Sequence, residues 1–271
     1  MDIFRKFVLS CSAAAFATTA TAHEFWISPE SYVIESGGQV QAHLRVGQNF
    51  KGSSYAFRDS QFERFELITG DNVTQVTGRL GDTPALSMGA PDTGLMVVVH
   101  ETTDNTLNYR EWEKFVAFVE HKAFPTTLED HAVRGLPEEN FVELYRRYAK
   151  SLVAVGSGAG ADTRVGLKTE IVALANPYTD QVSDFPVQVF LDGEPRVDAQ
   201  LEVFDKAPDG SVQVTLHRTD ADGKASVPVI AGHEYLFDAV AMVPLPNNEA
   251  TKGPVWWSLW AALTFKVPAK N

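Results

Sequence analysis

The chain has 271 residues, 44% of them hydrophobic, and a formal net charge of -12. The apolar share supplies a core and excludes wholesale disorder. The negative charge would repel phosphate backbones and excludes nucleic acid as a partner.

The N-terminus reads as an export signal covering residues 1–22. Arg5 and Lys6 form a positive start, Phe7 to Phe16 a short apolar stretch, and Ala20-Thr21-Ala22 the small-residue pattern that signal peptidase cuts. Cleavage after Ala22 makes His23 the first mature residue. The only cysteine, Cys11, lies inside this leader, so the mature chain is expected to have no disulfide and no thiolate ligand. Val8-Leu9-Ser10-Cys11 is a loose lipobox, but the apolar run before it is too short for a lipoprotein signal. No later segment is long and apolar enough to span a bilayer, so the mature chain is expected to be periplasmic and without a transmembrane segment.

From His23 to about His100 the chain is strand-rich. Val40, Ala42, Leu44 and Val46 alternate with polar residues, the period of a half-buried strand. Gly37-Gly38 predicts a hairpin turn from a strand spanning Trp26 to Ile34. Phe62 to Ile68, Val73 to Val76 and Leu95 to Val99 read as further strands between turn residues.

Residues 109–155 read as a helical insertion. Trp112, Phe115, Val116 and Val119 recur at helical spacing, and Phe141, Leu144, Tyr145, Tyr148 and Leu152 do the same after Pro137. Between them Thr126-x-x-Glu129 predicts a capping box. Ser157-Gly158-Ala159-Gly160 then breaks the chain. From Thr169 onward short strands return, with turns at Asp192-Gly193 and Thr219 to Gly223.

The expected fold class is mainly β: two Ig-like or transthyretin-like β-sandwich domains, residues 23–168 and 169–271, with the helical insertion in or after the first. The Gly-Glu-Pro turn, the Thr-Asp-x-Asp-Gly turn and the Gly-x-x-Tyr strand resemble transthyretin-like and collagen-adhesin B-type modules. The chain as a whole resembles a family of exported bacterial proteins catalogued as a domain of unknown function. The resemblance rests on Ala22-His23-Glu24-Phe25-Trp26-Ile27, Arg134-Gly135-Leu136-Pro137, Tyr145-Arg146-Arg147-Tyr148-Ala149-Lys150 and Trp257-x-x-Trp260-Ala261-x-Leu263-Thr264-Phe265. Members are often labelled periplasmic components of cobalt or nickel uptake, which implies a metal ion as cargo and a membrane transporter or outer-membrane receptor as partner.

A terminal His23 would offer its α-amine and its imidazole to one metal, with reference pKa values of about 7.7–8.0 and 6.5. Two nitrogens without a thiolate suit Ni, Co, Cu or Zn as a divalent cofactor or cargo. A useful site needs a third ligand, and His100, His121 and His131 are the candidates to supply it. A hairpin at Gly37-Gly38 would pair His43 near Tyr32, roughly 30 Å along the strand from His23, which removes it. His217 and His233 belong to the second domain and read as solvated. Asp220, Asp222 and Gly223 resemble the start of a calcium loop, but the downstream Glu is missing and a hairpin turn fits better. No catalytic acid–base pair stands out, and no nucleophile elbow, P-loop or dinucleotide fingerprint is present.

The leading expectation is therefore a periplasmic divalent-metal-binding protein assisting uptake or delivery through His23. A copper-dependent redox enzyme with the same terminal chelate is one alternative. A non-catalytic adhesion or carbohydrate-binding scaffold using Trp26, Trp256, Trp257 and Trp260 is another.

Overall fold

The computed structural model describes residues 23–246 and 253–269. The expected leader and its cleavage site lie outside them. In chain order the strands are β1 (Glu24–Pro29), β2 (Val33–Ile34), β3 (Gln39–Gln48), β4 (Lys51–Tyr55), β5 (Phe62–Thr69), β6 (Asn72–Gln75), β7 (Leu86–Gly89), β8 (Gly94–Thr102) and β9 (Asn105–Tyr109). Two helices follow, α1 (Trp112–His121) and α2 (Thr127–Val133). Then come β10 (Phe141–Val155), β11 (Thr169–Ala173), β12 (Asp184–Leu191), β13 (Glu194–Pro195), β14 (Gln200–Lys206), β15 (Val212–Arg218), β16 (Lys224–Pro228), β17 (Glu234–Pro244) and β18 (Pro254–Lys266).

The fold is mainly β and sandwich-like, as the turn spacing predicts. Its spine is a ten-stranded sheet in the order β15-β14-β17-β18-β10-β8-β5-β6, with β2 and β9 also paired to β10. Strands from both sides of position 168 contribute to it. A second sheet, β1-β3-β4 with β7 on β3, covers one face of this spine. A third, β11-β12-β13 with β16 on β12, covers the other. Alternation along β8 makes the two faces explicit. Met96 and Val98 join Trp26, Ile27, Leu44 and Phe65 in one core, while Val97 and Val99 join Ile171, Phe185, Val187 and Phe265 in the opposite one. Burial of each such large side chain contributes about 1.5–3 kcal/mol.

Two expectations need correction. Residues 141–155 form β10, not a helix. Its apolar residues happen to recur at three and four, but the physical period is two. Glu143, Tyr145, Arg147 and Ala149 point to one face and Tyr148, Lys150 and Leu152 to the other. A central strand covered on both faces loses the simple polar–apolar alternation that identifies half-buried strands. It runs parallel to β18 from Val142↔Pro254 to Ser151↔Thr264, a pairing that only a long crossover permits.

The second correction concerns Gly37-Gly38. Gly37 does take a positive φ of 71°, but β1 ends at Pro29 and the next two-residue strand pairs with β10. The register of β1 with β3 is therefore Ser28↔His43, not His43 near Tyr32.

The first expected helix and the expected strands at Val40 to Val46, Phe62 to Ile68 and Leu95 to Val99 fall within α1, β3, β5 and β8. Thr126 does precede α2, but no side-chain capping hydrogen bond forms. Both helices lie on the same face of the spine as β1. There Phe115, Phe118 and Val119 pack with Val240, Trp256 and Trp260 in a third core.

Candidate functional site

Beside this helical pair, on the same face of the spine, opens a cleft of about 480 Å³. His23 lines it at the start of β1, Tyr109, Arg110 and Lys114 at the β9–α1 corner, Glu143, Tyr145 and Arg147 along β10, and Trp260 on β18. The strand period of two explains why three successive polar side chains of β10 share its wall. Arg147 reaches across and donates to the backbone carbonyl of His23 at 3.2 Å. Its guanidinium also lies over the Tyr145 ring, 4.9 Å from the centroid, a cation–π contact.

Glu143 is the buried acid of the cleft, only 2% exposed. Tyr109 donates its hydroxyl to Oε2 at 2.7 Å. Ser258 donates to Oε1, and the Trp260 indole N–H donates to Ser258 at 2.9 Å. Burial pushes the Glu143 carboxyl up to about 7, against the opposing pull of the Ser258 and Tyr109 hydrogen bonds. No cation pairs with it among the described residues. Its proton affinity is thereby brought near neutrality, and carboxyls perturbed in this way concentrate at functional sites.

Under Trp260 lies a second polar group. Lys122, buried at the end of α1, donates to Glu202 Oε2 at 2.5 Å and to Asp238 Oδ2 at 2.9 Å, with Glu24 Oε1 at 3.9 Å. Its ammonium sits 5.1 Å from the Trp260 ring centroid. Burial disfavours the Lys122 charge, but Asp238, Glu202 and Glu24 outweigh it and raise its affinity for the proton. Three acids cannot all be ionised around one amine. Burial and Asp238 push Glu24 up to about 7, and burial raises Asp238. Glu202 is held down at about 2 because His121 and Lys122 overcome its burial. This network clamps α1 to β1, β14 and β17.

The four histidines singled out in the sequence are not brought together. His23 is exposed on the rim of the cleft, and its imidazole has no hydrogen-bond partner among the described residues. His100 is buried among Phe25, Phe62 and Phe65, and burial drops its pKa to about 3. His121 is half-exposed, with Nε2 3.4 Å from Glu202 Oε1. His131 is buried, its two nitrogens engaged by the Pro137 carbonyl and the Trp256 indole, both at 3.0 Å. His43 approaches Ser54 at 2.8 Å and Glu30 at 3.3 Å. Among the described residues no group of three His, Cys, Asp or Glu side chains is assembled as a metal site. Of the tryptophans, Trp26, Trp256 and Trp260 are core residues, while Trp257 is half-buried with the Lys168 ammonium 5.2 Å from its ring centroid. A larger groove of about 1010 Å³ between residues 177–183, 229–231 and 267–269 has one carboxylate, Asp180, and no histidine.

Sequence reasoning missed Glu143, Arg147 and Tyr109. The signal was present: read at a period of two, Glu143-x-Tyr145-x-Arg147 is a run of polar and aromatic groups on one face of the strand.

A family model described as "Domain of unknown function (DUF4198)" matches residues 20–243. No curated protein matches the chain. Among solved structures, a tetra-tandem repeat from the extending region of a large adhesion protein is 10% identical, with a TM-score of 0.23, over 91% of this chain and 50% of that one. The chain thus spans about half the length of that structure. The D0-D1 domain of intimin is 11% identical, with a TM-score of 0.21, over 90% of this chain and 97% of that one.

Proposed function

The chain belongs to the DUF4198 family, a domain of unknown function, and we propose that it is an exported protein that binds a divalent transition metal through His23 and assists its uptake or delivery. The observation that carries this reading is the place of His23, on the rim of the cleft that contains the proton-exchanging carboxyl of Glu143.

Cleavage after Ala22 would free the α-amine of His23 beside its imidazole. One residue then supplies two nitrogens, and the cleft offers the Glu143 carboxyl, a hard oxygen, as a third donor. That is how two side chains could serve a metal where no set of three exists. Ligation displaces protons from amine, imidazole and carboxyl alike, and the position of Glu143 near 7 keeps that cost small at neutral pH. Nitrogen and oxygen donors without sulfur suit Ni, Co, Cu or Zn. The cobalt or nickel label of the proteins it resembles favours the first two, and it implies a membrane transporter or outer-membrane receptor that receives the ion in the periplasm.

The test is to express the chain with its leader, establish the mature N-terminus by mass spectrometry, and titrate Ni(II), Co(II), Cu(II) and Zn(II) by calorimetry. We expect 1:1 binding that is lost both in His23→Ala and when one residue is added before His23. Equal affinity in those variants, or no binding by the wild type, overturns the reading.

A further inference from the structure

Away from the cleft, three ionisable side chains meet in the interior. Lys150 points from the middle of β10 toward the core shared with β11, and its side chain is 1% exposed, as is that of Glu170; Asp162 is 0% exposed. The Lys150 amine lies 2.7 Å from Asp162 Oδ1 and 2.9 Å from Glu170 Oε1, and it donates to the Thr163 carbonyl at 3.1 Å. Ile171, Ala173, Leu152 and Leu167 belong to the surrounding core.

The two carboxyl groups are not equivalent. Glu170 Oε1 also accepts the Val165 backbone N–H at 2.9 Å, which fixes it as an acceptor facing the amine. Asp162 Oδ2 accepts the Ala173 N–H at 2.8 Å. Its Oδ1 is the oxygen nearest the amine, yet it takes part in no aligned hydrogen bond. The amine thus stands in contact with the Asp162 carboxyl without donating squarely to it. The N–H on Oδ2 polarises that carbonyl and faces the charge that would develop on it. Burial raises the Asp162 carboxyl, so this is the acid that keeps its proton.

We propose that Lys150 and Asp162 condense to an intramolecular isopeptide bond, with Glu170 relaying the protons. Glu170 takes one proton from the ammonium, and the freed lone pair forms the bond from Nζ to Asp162 Cγ. Charge collects on Oδ2 against the Ala173 N–H. The bond from Cγ to the Oδ1 hydroxyl then breaks, the hydroxyl leaving as water with the proton returned by Glu170. Glu170 ends protonated with the second proton from Nζ. One amide and one water form, charge is conserved, and no oxidant or co-reactant is needed. Water exclusion helps, because the amine is trapped beside one electrophile at high effective concentration. The product replaces a buried ammonium, costly to desolvate, with a neutral amide. It also cross-links a chain whose only cysteine is Cys11.

Trypsin and mass spectrometry test this directly on the wild-type protein. We expect one peptide from Tyr148 to Arg164, uncut after Lys150 and about 18 Da, one water, lighter than its sequence. Glu170→Gln, folded by circular dichroism, should instead give Tyr148–Lys150 and Ser151–Arg164 as separate peptides of full mass. Those two linear peptides from the wild type would overturn the proposal. So would loss of water with cleavage after Lys150 intact, which marks a cyclised Asp162, or an unchanged cross-link in Glu170→Gln.

Discussion

Trp256 donates its indole N–H to Nδ1 of His131 at 3.0 Å, which leaves Nε2 as the protonated nitrogen, donating to the Pro137 carbonyl. The histidine is thereby fixed as one neutral tautomer between β18 and the segment after α2. Its ring lies near-parallel to that of Trp256, 6.3 Å between centroids. His131→Ala should leave the indole N–H buried and unpaired and open a void, at a cost of about 2–4 kcal/mol. Metal titration of the same variant should be unchanged. A measured loss of metal affinity with unaltered stability would return His131 to the ligand set.

His100 makes a different contribution. Its Nδ1 is buried without a partner, and three phenyl rings surround it. The folded state holds it neutral, with a pKa of about 3 against 6.5 for the free side chain. Between those values the unfolded chain binds the extra proton, so stability falls as pH drops from 6.5 toward 3 and is complete above that window. His100→Leu should match or exceed the wild type at pH 7, and its advantage should grow on acidification. Parallel urea melts at pH 4 to 7 would show this as diverging midpoints; parallel curves would exclude a buried neutral histidine.

Strand β3 and helix α1 were legible because each carries a local period. Val40 to Val46 alternates by two, and Trp112 to Val119 recurs by three and four. What stayed hidden depends on partners distant in the chain. β10 is covered on both faces, so its apolar residues no longer alternate and fell by chance on a helical spacing. The Lys122 network joins α1 to residues in β1, β14 and β17. Nothing near any one of those positions signals that four charges converge. His23 stood out from the expected cleavage site alone, but its sharing a cleft with Glu143 required the strand assignment that the helical pattern obscured.

Lys122→Met removes the buried ammonium from among Glu24, Glu202 and Asp238. Breaking a buried ion cluster from one side leaves uncompensated carboxylates, a loss of about 3–5 kcal/mol. The size should depend on pH. Glu24, at about 7 in the fold, is protonated in mild acid, so the penalty should shrink between pH 8 and pH 5. Guanidinium melts at both values check this. An equal loss at the two pH values would mean that packing of the lysine stem, and not charge, is what the variant disturbs.

Glu143 supplies the converse case to His100. Its folded pKa of about 7 lies above the unfolded value near 4.3. Between those values the native state binds the extra proton, so the contribution of Glu143 to stability is present in mild acid and is lost as pH rises through 7. Glu143→Gln cannot ionise and escapes that loss, although it replaces one acceptor oxygen facing Tyr109 or Ser258. Relative to the wild type, the variant should therefore gain about 2–3 kcal/mol between pH 5 and pH 8, whatever its offset at pH 5. Metal bound at the cleft would favour the carboxylate, so saturating the wild type with the preferred ion at pH 8 should recover part of that difference, and Glu143→Gln should recover less. A stability difference independent of pH would place the ionisation of Glu143 outside this window and remove the proton exchange on which its proposed role as third ligand rests.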